Sequence, residues 1–152
     1  MVEIRQVGLT TLMSDPAFEA LSAEYAAEAA IDAIGRVSVQ WPTYTALETA
    51  GLLRCFCAFN KDNALTGYLV MLLTVLPQYG ALTGNTAAFF VAARARKTGA
   101  GLALLRAAEI AAFEAGAKGM CVGAPPNGRL AQVLPSKGYQ HSTSIYFRGL
   151  NA

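Results

Sequence analysis

One hydrophobic core commonly serves ~100 to 200 residues, so this chain of 152 residues is expected to form a single domain over residues 1–152. Hydrophobic residues make up 54% of it and charged residues 14%, a composition that excludes intrinsic disorder. The net charge of +2 hides an imbalance: up to Asp62 eight acidic residues face four basic ones, and beyond it eight basic residues face only Glu109 and Glu114. The C-terminal part should therefore attract a polyanion.

Residues 3–7 read as a first strand, and Glu3 and Arg5 interleaved there leave no apolar core for a secretion signal, so a cytoplasmic setting is expected. Asp15-Pro16 offers a helix cap followed by proline in the first turn, and the Ala-rich stretch from there to Ile34 reads as a helix that stops at Gly35. Its Glu19, Glu24, Glu28 and Asp32 read first as a solvated acidic face and second as an attraction for a cationic acceptor. Trp41-Pro42 reads as the entry to a helix or as the lining of an acceptor pocket, and Thr45-Ala-Leu-Glu48 reads as a capping box opening a short helix that ends near Gly51.

Residues 55–59 and 67–76 are strand-like and are joined by the polar Asn60-Lys61-Asp62-Asn63, which predicts an antiparallel hairpin. The apolar run within it, residues 68–76, is halted by Pro77 well short of the ~20 residues that a membrane helix needs, so no membrane partner is expected. Residues 86–93 form a third apolar strand, residues 102–115 a mostly buried helix ending at Gly116, and residues 119–123 another strand. That order is a βαβ crossover in a mixed sheet. Residues 127–134 can make a short helix before Pro135, and residues 140–148 alternate as a final strand does.

Three cysteines are too few and too odd in number for a disulfide framework, and the one histidine, His141, completes no four-ligand set with Cys55 and Cys57. Free thiols packed in the fold, and no metal, are the expectation. The basic residues contain no run of four and no interleaved aromatic platform, so no specific nucleic acid is indicated.

The most informative segment is the turn Arg94-Ala95-Arg96-Lys97-Thr98-Gly99-Ala100-Gly101 between the third strand and the buried helix. Its glycines allow close backbone approach, its amides precede a helix N-terminus that favours anions, and three basic side chains stand beside it. It lacks the third glycine of a dinucleotide fingerprint and the Gly-Lys-Ser/Thr order of a Walker loop. A plain tight turn is the bland alternative.

Arg96-x-x-Gly99-x-Gly101 in this position resembles the pyrophosphate-binding signature of the GNAT superfamily of acyl-CoA N-acyltransferases. Asn127, Leu130, Val133, Gly138 and Tyr139 keep the spacing of that family's second signature, with Leu134 where its tyrosine belongs. A narrower similarity, Tyr44-x-x-Leu47-Glu48-x-Ala50-Gly51-Leu52-Leu53 with Gly67-Tyr68, is to short GNAT-like chains of bacteriophages. The resemblance implies an α+β fold: a mixed sheet of six to seven strands flanked by about four helices, splayed between strands 4 and 5. It implies acetyl-CoA as cofactor, with Arg94, Arg96, Lys97, Thr98, Gly99, Ala100 and Gly101 at the pyrophosphate, Val91, Ala92 and Ala93 pairing with the pantetheine arm, and Asn127 bonding that arm.

Catalysis would be transfer of the acetyl group to an amine on a small molecule or protein. Leu134 cannot protonate a leaving thiolate, and no carboxylate occurs between residues 63 and 108, so Tyr79, His141, Glu48 or a bound water must serve as acid or base. Tyr79 reads otherwise as a loop lid and His141 as a surface residue. The alternative reading is a GNAT-fold protein without turnover that acts as a structural or interaction module, a homo-oligomer or a component of a phage virion.

Overall fold

The computed structural model describes residues 1–29 and 40–150. The predicted end of the first long helix at Ile34 and Gly35 lies outside the described residues. Five strands form one sheet in the order β1 (Glu3–Val7), β2 (Leu53–Phe59), β3 (Leu65–Leu76), β4 (Ala81–Val91) and β5 (Gly119–Cys121). The first four are antiparallel neighbours, and β5 joins β4 in parallel. The α-helices are α1 (Leu9–Ser14), α2 (Phe18–Ala29), α3 (Trp41–Thr49), α4 (Ala100–Glu114) and α5 (Arg129–Val133).

Period-two alternation gives the sheet two apolar faces. Phe56, Ala58, Leu69, Met71 and Leu73 point to one side, where α4 lays down Ala100, Leu104, Leu105, Ala108 and Ala112. Cys55, Cys57, Tyr68, Val70 and Phe90 point to the other, under Leu9 and Leu12 of α1 and Leu21 of α2. Six rings knit that second side together, with Tyr25 stacked on Phe90 at 5.2 Å and Phe18 reaching both Tyr68 and Trp41.

The predicted β2–β3 hairpin is present because Asn60 Oδ1 accepts from the amides of Asp62 and Ala64 while Asn63 takes a left-handed φ of 61°. The crossover through α4 is also present, closed by Gly116 at φ 90°.

Five strands, rather than six to seven, and five α-helices, rather than about four, are found among the described residues. The difference in strands comes from residues 140–148, which are not paired to any strand. Alternation alone does not make a strand where no neighbouring backbone accepts its hydrogen bonds. The extra helix is α1, whose first amide, Leu9 N–H, donates to Glu48 Oε2 at 2.7 Å. Glu48 thereby caps another helix instead of closing a box on Thr45, and α3 starts earlier than expected, at Trp41 with Pro42 in its first turn.

Tight approach of β3 to β4 requires glycine at position 67: a Cβ there would lie 2.8 Å from Phe90 O, a backbone atom that cannot swing aside. We expect Gly67→Ala to destabilise the fold by about 1–3 kcal/mol in urea unfolding. An unchanged midpoint would mean that the two strands can part there without cost.

Candidate functional site

Strand β4 is bound along its whole length to β3 but meets β5 only at Thr83, Gly84 and Asn85. One further link follows, from Gly123 N–H to Thr86 Oγ1 at 3.0 Å. Beyond it the β5-facing edge of β4 has no sheet partner among the described residues up to Val91. The register slips at this same level: Val70 faces Ala88 while Met71 faces Thr86, so Ala87 is an extra, bulged residue. The edge that opens toward a ligand thus starts at a bulge and runs toward the turn.

At the end of β4, Ala92 N–H still donates to Thr66 O at 2.9 Å, and Ala93 begins a single 3-10 turn. Thr98 Oγ1 donates to Ala95 O at 2.6 Å and accepts from Ala100 N–H at 3.3 Å, which folds residues 95–100 into a loop that delivers α4. Gly99 sits at φ 83°, the left-handed region open to glycine at little cost.

Gly101 is different. Its backbone is helical, and a Cβ there would meet only Val91 Cγ2 at 3.8 Å, an ordinary contact. Glycine inside a helix costs about 1 kcal/mol relative to alanine, and nothing in this chain's packing requires it here. The amides of Gly101 and Leu102, in the first turn of α4, donate to no carbonyl among the described residues. Uncommitted donors, a helix N-terminus and empty space where a side chain would stand make a seat for an anionic group.

The basic residues around this seat divide. Arg94 and Lys97 are exposed and have no carboxylate partner among the described residues. Arg96, expected to meet a phosphate, is committed elsewhere: Nε donates to Val91 O at 2.9 Å, and the guanidinium pairs with Glu28 of α2 at 2.5 Å and lies 5.5 Å from the Phe90 ring. It ties α2 to the base of the turn. Glu28 was expected on a solvated acidic face, and its pairing with Arg96 escapes sequence reasoning because a contact across 68 positions leaves no local signal.

Asn127 lies exposed in the loop before α5 with a left-handed φ of 65°. Leu130 and Leu134, which follow it, pack on the cluster that holds Val91, Ala95 and Ala100, so this loop and the turn share one core. Leu134 is itself buried there, which explains an apolar residue at that position.

The two catalytic candidates are not brought to the turn. Tyr79 is 74% exposed in the hairpin between β3 and β4, and β4 from Ala81 to Val91 carries the chain about 30 Å away from it. His141 is exposed beyond Tyr139, and among the described residues its ring hydrogen-bonds with Thr143 O and Ser144 Oγ. Glu48 is occupied with the Leu9 amide. The single titratable side chain on β4 and β5 is Cys121, exposed on β5.

Cys55 and Cys57 are free and buried, and desolvation pushes both thiols up to about 12. Tyr139 is raised well above the ordinary phenol value, first by burial and then by its hydrogen bond to Glu109 Oε2 at 2.5 Å. No group of three or more His, Cys, Asp or Glu side chains that could hold a metal ion occurs among the described residues. No helix among them is long and apolar enough to cross a membrane.

Compared by sequence, the chain matches no protein-family model, and no curated protein matches it significantly. Solved structures are similar over its whole length. A Pyrococcus furiosus protein described as an acetyl transferase superposes with a TM-score of 0.73 at 20% identity, covering 99% of this chain and 100% of that one. The ribosomal-protein-alanine N-acetyltransferase of Brucella melitensis biovar Abortus 2308 gives 0.68 at 20% identity over 97% and 99% of the two chains. The enzyme AAC(6')-Iy, in complex with the bisubstrate analogue CoA-S-monomethyl-acetylneamine, gives 0.72 at 17% identity over 100% and 99%. The fold is therefore the α+β, mixed-sheet fold of GNAT-type acetyltransferases.

Two measurements check these environments. At about pH 8 a thiol reagent should label Cys121 alone in the native protein and all three cysteines after unfolding, because a buried thiol near 12 presents almost no thiolate. Labelling of Cys55 or Cys57 in the folded chain would contradict the burial. For Tyr139, with its phenol raised above the usual 10.0, unfolding at high pH releases a proton that the native state keeps. Its contribution to stability is complete below pH 10 and declines as pH rises through the folded value. Tyr139→Phe should flatten that alkaline decline.

Proposed function

We propose that this chain binds acetyl-CoA and transfers its acetyl group to an amine. The observation that carries the reading is Gly101: a helical glycine with open space at its Cβ, above uncommitted amides, at the end of a strand whose outer edge is unpaired. Gly99, Ala100, Gly101 and Leu102 would hold the pyrophosphate, and Arg94 and Lys97 would neutralise further phosphate charge. The free edge of β4 from Thr86 to Val91 would align the extended arm as one more strand. When bound, acetyl-CoA supplies an activated thioester. The residues around the bulge at Ala87 would then position that carbonyl, with backbone amides as the available donors.

The acceptor is an amine on a small molecule or a protein, the reading favoured by similar solved structures named as a ribosomal-protein-alanine N-acetyltransferase and, from a soil metagenome, an aminoglycoside acetyltransferase. The acidic N-terminal part, with Glu19 and Glu24 on α2, suits a cationic acceptor. A second reading has one observation in its favour: neither β4 nor β5 carries a carboxylate, histidine or phenol. The chain would then be a cofactor-binding module without turnover, the role to which the narrower likeness to phage chains belongs.

Calorimetry with acetyl-CoA tests the site. Gly101→Val should abolish binding in a chain that remains folded, because its side chain would occupy the anion seat from a Cβ that has only an ordinary contact with Val91. Lys97→Ala should weaken binding, with the difference shrinking as salt rises. Unchanged affinity in folded Gly101→Val would remove the assignment. Thiol release from acetyl-CoA across aminoglycosides, polyamines and peptides then separates enzyme from module. General acid–base groups contribute ~10² to 10⁴ in rate, so slow turnover with ordinary cofactor affinity is expected, and Tyr79→Phe should leave it unchanged.

A further inference from the structure

Ahead of its bulge, β4 carries a polar side chain that cofactor binding leaves unused. The Asn85 carboxamide is locked through its nitrogen: Nδ2 donates to Thr74 Oγ1 at 2.7 Å, to Thr83 Oγ1 at 3.1 Å and to Thr83 O at 3.3 Å. A carbonyl only accepts, so Thr83 O fixes which end of the amide is nitrogen. Thr83 Oγ1 gives its own proton to Thr74 O at 3.3 Å, which leaves it able to accept. All these partners lie on β3 or back along β4, so Oδ1, on the other fork of the same planar group, is turned away from them. It accepts no hydrogen bond among the described residues.

The register places this oxygen. Gly84 packs against Met71, Met120 and Ala112 on the α4 side, so Thr83 and Asn85 stand on the opposite face, the one that α1 and α2 partly cover. Cys121, the ladder partner of Asn85, shares that face and is exposed. Asn85 precedes the bulged Ala87 by two residues, about 7 Å along a strand. A group held at Oδ1 therefore lies within reach of a carbonyl positioned at the bulge. The surroundings are neutral, since no charged residue occurs between Asp62 and Arg94. The titratable side chains of the flanking strands are Tyr68 on β3 and Cys121 on β5. On α2, Tyr25 stacks on Phe90 and Glu28 pairs with Arg96, both toward the far end of β4, while Glu19 and Glu24 make no hydrogen bond to Asn85. The charged Arg106, Glu109 and Glu114 of α4 belong to the helix on the opposite face.

We propose that Asn85 Oδ1 receives the acceptor amine in its uncharged form, and that the acceptors are weakly basic amines, represented in proteins by the α-amino group of a peptide, in preference to lysine and polyamine nitrogens. The inference rests on the acetyl-transfer reading. With one N–H given to Oδ1, the nitrogen lone pair forms the C–N bond to the thioester carbonyl carbon, and the C–S bond breaks with its electron pair on sulfur. The surplus proton on nitrogen passes through water to that sulfur, leaving an amide and a free thiol. An amide oxygen accepts a hydrogen bond but no proton, so the nitrogen must arrive neutral. An α-amine, with a pKa of about 7.7–8.0, is in large part neutral near pH 7.5, whereas an amine of about 10.4 is neutral in roughly one molecule in a thousand. A carboxylate in place of Asn85 would favour the ammonium form instead.

Two peptides test this: a basic peptide with a free α-amine and no lysine, and the same peptide with its terminus blocked and one lysine added. With saturating acetyl-CoA at about pH 7.5, kcat/KM for the α-amine should exceed that for the lysine by at least ~10-fold. Its pH profile should rise to a plateau set by the peptide's own amine and move when the terminal amine is made less basic. Asn85→Ala should lower kcat/KM for the α-amine by at least ~10-fold while calorimetric acetyl-CoA affinity stays the same, and Asn85→Asp should shift the preference toward lysine. Exposed Cys121 gives a readout apart from turnover. With an S-alkylated, unreactive CoA present, the free-amine peptide should slow thiol-reagent labelling of Cys121 in wild type and not in Asn85→Ala. Should the variants fail to fold, acceptor preference, pH profile and Cys121 protection in wild type decide alone. A preference for lysine or polyamine nitrogens, a pH profile indifferent to the acceptor's pKa, transfer that folded Asn85→Ala leaves intact, or cofactor binding with neither transfer nor Cys121 protection would each overturn the inference. Failure of the underlying reading shows separately, as absence of acetyl-CoA binding, and takes the inference with it.

Discussion

The arrangement depends on how little of β4 is held by β5. Ten residue pairs fasten β4 to β3, and three fasten it to β5. A strand bound on one side only keeps a row of backbone donors and acceptors available on the other, and these must find either solvent or an extended partner. The bulge at Ala87 marks where pairing with β5 stops, and the helix that β4 feeds starts with its amides uncommitted. One open edge therefore leads directly into one anion seat.

Two long-range polar links keep that geometry in place. Glu48 holds the start of α1, and Arg96 fastens α2 to Val91 O at the end of β4. The Arg96–Glu28 pair is partly exposed, so its direct contribution to stability is small. Its consequence is positional: α2, with its ring Tyr25 stacked on Phe90, is fixed next to the turn. Arg96 thus organises the wall beside the turn, and Arg94 and Lys97 are the neighbouring cations without a carboxylate partner among the described residues.

Elements with local causes were legible in the sequence. The β2–β3 turn follows from Asn60 and Asn63, the limits of α4 from Gly99 and Gly116, and the crossover from the order of apolar runs. Where the cause is distant, the reading failed. The first half of β4 was missed because Gly84 and Asn85 are poor strand formers. Gly84 is set by crowding from Met120, Met71 and Ala112, and Asn85 by bonds to Thr74 and Thr83. Helix α1 was hidden because its cap comes from Glu48, 39 positions away. The turn before α4 was legible as a glycine pattern, yet the sequence could not show that Gly101 has no packing role or that Arg96 turns back onto the protein.

The brevity of β5 has consequences on both of its sides. Toward β4 it leaves the cleft open, and toward solvent it leaves an edge that three residues are too few to protect. Past the three paired residues, the far wall of the cleft is held to β4 by one hydrogen bond among the described residues, from Gly123 N–H to Thr86 Oγ1. The width of the opening beside Ala87 thus depends in this architecture on a strand of three residues.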